Sequence, residues 1–465
     1  MMAKVASCDW GGDRKTLTLM YISLVRSRID YASFLYSTAY GGHLNKLDAI
    51  QYRAIRIITG NFRNCRVDCL EAEANLLPLA LRRKQLALNY FGKTYRLHGH
   101  PVKELYEDFY RFLQYDIRPY PLPIVGRVKD LVNNSHIPLN KLEQFSMSDI
   151  YIPNLSVVRF SLRKRNGYDS EMQARLAFNC LVETNYSTFT KLFCDGSKLD
   201  GRTGCAVYVD IQPPTIIKKR LPKTSSVFTC ELYALFRSLL NIRDSPLDCF
   251  VIFSDCLSAL EFLSNSKNDN RMKINILRLL RILKSLGKTV IFEWVPAHVG
   301  IMGNEAADKA AKEATLLTSI VRIPLSFIDY KCLVKTFIRE QWQLSWTRFG
   351  RCRLQNFKPI LGDWKSSYRD VRKEEKALSR LRTGVVLFEN RHFYDRTIAR
   401  EMCVPCDIPM TIEHLLLECP ALRAHRLQMT TFITDNNLPL SEESILGDKF
   451  PHDKLFDFLR RVNYA

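Results

Sequence analysis

Four acidic residues stand where a folded chain brings side chains to one point. Asp195 follows the β-prone run 189–194, and Asp255 follows the continuous apolar run 249–253 with Ser254 between. Runs of this kind predict buried strands, and an open α/β sheet meets its ligand at the carboxyl ends of its strands. Glu231 lies at the edge of an apolar helical face, one residue before Leu232, and Asp308 falls in the first turns of a later helix after the loop 296–304. One such carboxylate alone is most simply a solvated surface group. Four held together repel one another and raise their own pKa values. Divalent cations remove that repulsion, and hard oxygen ligands with room for water and phosphate suit Mg2+, or Mn2+ in its place. Two ions ~3.5–4 Å apart clamp the attacking and leaving oxygens of a phosphodiester. A second set, Cys403-x2-Cys406-x7-His414-x4-Cys419, offers three thiolates and an imidazole. These can close a tetrahedral structural Zn2+ site, with free buried cysteines as the competing reading.

The elements that must position these residues follow from periodicity. Strands are predicted at 189–194, 204–209, 215–218, 249–253 and 290–295. Leu232, Leu235, Phe236, Leu239 and Leu240 fall at i, i+3, i+4, i+7 and i+8, which predicts an amphipathic helix. Helical stretches follow at 257–263 and 272–286, and a last helix at 303–314 has the small face Ala306, Ala307, Ala310, Ala311 and Ala314. Residues 186–315 therefore read as an α/β domain: a five-stranded mixed sheet with flanking helices. Residues 1–115 read as mainly α-helical, with Leu47, Ile50, Ala54, Ile57 and Ile58 on one face and Gly60 as a stop. A further helix opens at Pro78, where Arg82, Arg83 and Lys84 read as a solvated face. Pro119, Pro121, Pro123, Pro138 and Pro153 make 116–185 a connector, and 316–465 reads as a mainly helical region around the Zn2+ set.

The chain has 465 residues, 46% hydrophobic and 25% charged, which excludes wholesale disorder. No apolar stretch approaches the ~18 residues of a membrane-spanning helix. Neither a secretory signal nor an organelle presequence is visible at the amino terminus, so an intracellular protein, nuclear or cytoplasmic, with no membrane partner is expected. In that setting the 14 cysteines are not a disulfide framework. Lys and Arg exceed Asp and Glu by 68 − 48 = +20, which suits a polyanionic partner such as nucleic acid. Arg278, Arg281 and Lys284 share one side of the helix 272–286, where they can meet a duplex or simply face water.

Four blocks carry a resemblance: Cys194-Asp195-Gly196-Ser197, Thr229-Cys230-Glu231-Leu232-Tyr233-Ala234, Ser254-Asp255-Cys256-Leu257-Ser258-Ala259-Leu260, and the run from Trp294 through His298 and Asn304 to Asp308. In order, spacing and flanking elements they resemble type 1 ribonuclease H, and closely the domains carried by arthropod-type (jockey- and I-like) non-LTR retrotransposons. The resemblance implies cleavage of the RNA strand of an RNA–DNA hybrid. It makes Asp195, Glu231, Asp255 and Asp308 the ligands of two Mg2+ or Mn2+ ions and gives His298 a part in proton transfer or product departure. Cys256 and Ala297 stand where the family often has Ser, and neither position is a metal ligand.

The ends of the chain are similar to the same elements. Residues 10–17, 26–31 and 47–56 resemble the helical region downstream of a reverse transcriptase palm. A palm needs paired aspartates after Tyr or Phe and one other residue, and the chain has no such tetrapeptide. A carboxy-terminal polyprotein piece without DNA synthesis of its own is expected. Residues 378–384 and 413–420 resemble the zinc-binding tail, with Val385 in place of a frequent histidine. Small zinc modules of this kind can hold single-stranded RNA. A catalytically idle nucleic-acid-binding relic is the alternative, which the intact carboxylates disfavour. A transposase or integrase on a related fold fits less well, because Glu231 in its helix and the His298 loop belong to the ribonuclease pattern.

Overall fold

The computed structural model describes residues 2–6, 11–108, 124–144, 146, 157–164, 167–266, 269–348, 350, 352–388 and 401–464. They form two compact units: 88–336, and 1–87 together with 337–465.

The unit 88–336 is built on a sheet. Its strands are β1 (Val158–Arg159), β2 (Thr190–Leu199), β3 (Arg202–Asp210), β4 (Thr215–Leu221), β5 (Cys249–Ser254) and β6 (Thr289–Trp294), in the order β1-β6-β5-β2-β3-β4. β2, β3 and β4 form an antiparallel meander, while β2, β5, β6 and β1 run parallel. The mixed sheet agrees with the reading of the sequence, but the described sheet has six strands where five are predicted. The additional strand, β1, is only two residues long and comes from the stretch read as a connector. That stretch also holds helix α1 (Glu171–Asn185), started by Ser170, whose hydroxyl accepts from Gln173 N. A Ser-x-x-Gln cap is a legible start signal, but the clustered prolines upstream dominate the pattern.

Alternate residues of each strand enter two cores. Leu192, Cys194, Phe250, Ile252, Val290 and Phe292 face one side, covered by α2 (Val227–Arg243), α3 (Leu257–Ser264) and α4 (Arg271–Ser285). Phe193, Val251, Phe253 and Ile291 face the other, with Phe178 and Leu181 of α1 and Ala307 of α5 (Met302–Ala314). The predicted small face of α5 lies on the sheet, where Ala310 and Ala311 meet Ala206. The approach is close enough that a Cβ on Gly303 would stand 2.3 Å from the Phe193 ring. Beyond α5 the chain bridges to β4 at Arg220 and to Leu142 before α6 (Phe327–Arg348) begins. Glu143, 2% exposed, accepts from the first amides of α4 (Arg271) and α6 (Phe327), both at 2.9 Å, and pairs with Arg96.

The second unit joins the two ends of the chain, which the sequence presents as separate regions. The helix Gly41–Thr59 stops at Gly60 in the left-handed region, as predicted, and buries Gln51, Ala54, Ile55 and Ile58. Its core is shared: Leu17, Tyr21, Ile55 and Leu70 pack with Trp342, Trp346, Leu354 and Val385. Val385 is therefore a core residue, which accounts for an apolar side chain there. A buried ion pair lies at the same junction: Arg14 pairs with Glu73 at 2.9 Å within the amino-terminal part, and the Arg14 amide donates across to Glu375. Within the Arg82–Lys84 run, Arg82 pairs with Asp30 at 2.8 Å and Arg83 lies 3.6 Å from Asp48. No described helix is long and apolar enough to cross a membrane.

Candidate active site

Strand register brings the first two carboxylates together. Phe193 of β2 pairs with Phe253 of β5, and two residues further along each parallel strand lie Asp195 and Asp255. β2 does not end at Cys194 as predicted. It continues to Leu199, with Asp195 opposite Ala206 in the hairpin with β3, while β5 stops at Ser254. Asp195 is thus fixed within a strand, and Asp255 emerges beyond one. Glu231 comes from the second turn of α2, which lies so close to β2 that a Cβ on Gly196 would stand 2.6 Å from Glu231 N. Only a glycine fits there. Ligand oxygens of Asp195, Glu231 and Asp255 all lie within 4.8 Å of one another.

Asp308 stands with a different group. Its carboxylate clusters within 4.8 Å with Glu305 and with His298, which is exposed. Lys312, one turn on, pairs with Asp308 at 2.7 Å. The four carboxylates therefore divide three and one, although the charge of Asp308 still reaches Asp195. His298 has a left-handed backbone, φ 52°, in the loop that Glu305 holds by accepting from Gly300 N at 3.4 Å.

The sequence gives no role to Asn304, Glu305 or Lys312. Asn304 is buried and donates Nδ2 to Asp255 Oδ2 at 3.0 Å, and Trp294 Nε1 donates to the Asp255 carbonyl at 3.1 Å. Lys312 was legible as an i, i+4 partner of Asp308. Asn304 carried no signal beyond its place in the loop block.

Electrostatics sharpen the picture. Burial, then Asp255 and Asp308, pushes the Asp195 carboxyl up to about 6. Burial, then the Asp195 and Asp255 charges, holds Glu231 well above the ordinary carboxylate range. Glu231 Oε2 is buried and has no hydrogen-bond partner among the described residues. A buried, unpaired oxygen among like charges is costly, and a divalent cation is the partner that relieves both problems. The donor set, all hard carboxylate oxygens, fits Mg2+ or Mn2+.

The Cys3His set also converges, in the other unit. Cys403 lies in the short hairpin Met402–Cys403 with Ile408–Pro409, Cys406 in its turn, and His414 opens the wide helical turn His414–Glu418 that leads to Cys419. All four ligand atoms lie within 4.8 Å of one another, and Cys419 Sγ is 3.7 Å from Cys403 Sγ and 3.8 Å from Cys406 Sγ. Both His414 ring nitrogens are buried without a hydrogen bond among the described residues. Glu418 lies 3.6 Å from Nδ1, a carboxylate placed to orient a ligating imidazole. On α4, Arg278 and Lys284 are exposed and Arg281 is half-buried, along one side of the helix.

Residues 188–315 match the RNase H family model. No curated protein matches the chain. This match supports a nuclease acting on RNA–DNA hybrids.

Proposed function

We propose that the chain is an endoribonuclease that cuts the RNA strand of RNA–DNA hybrids by two-metal-ion phosphodiester hydrolysis. The observation that carries this reading is the buried trio Asp195, Glu231 and Asp255, with the unpartnered Glu231 Oε2, inside the segment that matches RNase H. These three, with Asp308 at the rim, would hold two Mg2+ or Mn2+ ions. When bound, the ions supply Lewis-acid stabilisation of the charge that builds on the scissile phosphate. The chain does the rest. Asn304 fixes the rotation of the Asp255 carboxylate, and Lys312 offsets the charge of Asp308. His298, exposed on its loop, assists proton transfer or product departure where product meets solvent. The exposed side of α4, with Arg278, Arg281 and Lys284, contacts the phosphate backbone. Cys403, Cys406, His414 and Cys419 hold a structural Zn2+ in a module that grips single-stranded RNA.

The chain as a whole reads as a piece of a non-LTR retrotransposon polyprotein without a polymerase palm. The support is the resemblance of residues 1–115 and 316–465 to such elements on either side of the ribonuclease segment 186–315, with 116–185 connecting. The test is cleavage by the full chain of a labelled RNA–DNA hybrid, duplex DNA and each single strand, with Mg2+ or Mn2+ added and omitted. The expected result is metal-dependent cutting of the hybrid RNA alone, since the 2′-hydroxyl lets a protein tell RNA from DNA. Hybrid left intact with both ions, or duplex DNA cut equally well, rejects the reading.

A further inference from the structure

The helix that carries Glu231 is capped by a residue from outside the segment matched to RNase H. At the amino end of α2, Ser226 Oγ accepts from Thr229 N at 3.2 Å, which is one half of a capping box. The other half is ordinarily a Glu or Gln at the Thr229 position, reaching back to the first amide. Here Ser226 N donates instead to Asp329 Oδ1 at 2.8 Å, and the Thr229 hydroxyl donates to Asp329 Oδ2 at 2.8 Å. Asp329 belongs to the first turn of α6, and its own amide donates to Ser326 Oγ at 3.1 Å. Two helix amino ends thus converge on one carboxylate that is 1% exposed, with both oxygens engaged.

Thr229 is two residues before Glu231, so the bond to Asp329 fixes the turn of α2 that leads into the site. On the other side Gly196 leaves no slack between α2 and β2. The turn cannot move toward the strand, and Asp329 keeps it from fraying away. We infer that Asp329 is a positioning residue for Glu231: it completes the cap of α2 from a different helix and so holds the Glu231 carboxylate at its ligand position. This rests on the reading of Glu231 as a metal ligand. It also means that residues 188–315 alone lack a part their active site needs.

The experiment compares the full chain with Asp329→Ala, Asp329→Asn, Thr229→Val and Glu231→Gln. It reads amide hydrogen exchange over residues 226–232, kcat and KM on the hybrid, and the Mg2+ concentration at half-maximal rate. Asp329→Ala is expected to speed exchange over 226–232 about fivefold, the effect of losing a helix cap. It should lower kcat, raise the Mg2+ requirement and leave KM for the hybrid nearly unchanged. Asp329→Asn restores much of this, because its amide oxygen still accepts from Ser226 N. Thr229→Val, which loses one bond of the pair, falls between and serves if Asp329→Ala does not fold. Wild-type exchange and kcat in Asp329→Ala overturn the inference, as does a loss that Asn fails to rescue. An inactive wild type, or Glu231→Gln as active as wild type, overturns instead the metal-ligand reading on which the inference stands.

Discussion

Asp195→Asn abolishes hybrid cleavage and, in zinc-loaded protein free of Mg2+, makes the fold more stable at neutral pH. The two effects have one cause. Burial first, and then the charges of Asp255 and Asp308, lift the Asp195 carboxyl from 3.8 to about 6. Below pH ~3 both folded and unfolded chains carry the proton, and the group costs nothing. As pH rises, the unfolded chain releases its proton first while the folded chain keeps it, so stability falls until the folded carboxyl has also ionised. A rise of about two units corresponds to ~3 kcal/mol at most, all of it lost by pH 7. Asp195→Asn keeps the shape and removes the charge. It should raise stability by ~1–3 kcal/mol at pH 7 and leave it unchanged at pH ~3, below both values. Glu231 is shifted in the same direction, so Glu231→Gln should behave alike. Thermal melts at the two pH values read the stability, and added Mg2+ should raise the melting temperature of the wild type more than that of the variant. Cleavage should fall by about three orders of magnitude, because several kcal/mol of transition-state stabilisation depend on the ligand set. A variant less stable than wild type at pH 7, or one that cuts at the wild-type rate, refutes the account.

What the sequence made legible is what local pattern encodes. The apolar run that became β5 is buried on both faces, and Leu232, Leu235 and Leu239 of α2 are buried, with Phe236 and Leu240 half-buried against the same core, so both read true. The cysteine and histidine spacing converged as its chemistry demanded. Long-range pairing was not legible. Asp195-Gly196-Ser197 looks like a turn, but cross-strand bonds to Ala206, Cys205 and Gly204 hold it extended. A two-residue strand such as β1 has no periodicity to read; it is set by β6 and by Glu293, which accepts from both the amide and the hydroxyl of Ser161. The i, i+4 spacing offers Lys312 to Asp308, but nothing local says that this pair stands at the rim while three other carboxylates cluster deeper. Nor can a lone Asp329, 98 residues beyond Glu231, announce that it caps another helix. The shared core of the two chain ends is likewise a tertiary fact, carried by Trp342 and Trp346 against Leu17 and Ile55.

Metal analysis should find about one zinc per chain in the wild type and much less in Cys406→Ser and His414→Ala. Cys403, His414 and Cys419 are buried, and neither ring nitrogen of His414 has a hydrogen-bond partner among the described residues. A buried donor or acceptor left unmade costs ~1–3 kcal/mol, and a cation at the centre of the four ligand atoms removes that cost. Four protein ligands leave no open position for water, so the site is structural and takes no part in hydrolysis. The ligands are also core residues: Cys403 and Cys419 pack with Leu415, Leu416, Met429 and Phe456. Arg426 further ties the segment by donating to the Leu415 carbonyl at 3.3 Å and the Cys419 carbonyl at 2.5 Å. Binding free energies of ~10–16 kcal/mol for structural zinc rival the whole stability of a domain, so loss of a ligand should unfold this module rather than loosen it. The active-site carboxylates belong to the other unit, so Cys406→Ser should still cut the hybrid in excess Mg2+ while holding single-stranded RNA less tightly. Equal zinc in wild type and both variants would show that these residues are ordinary core thiols beside a buried imidazole.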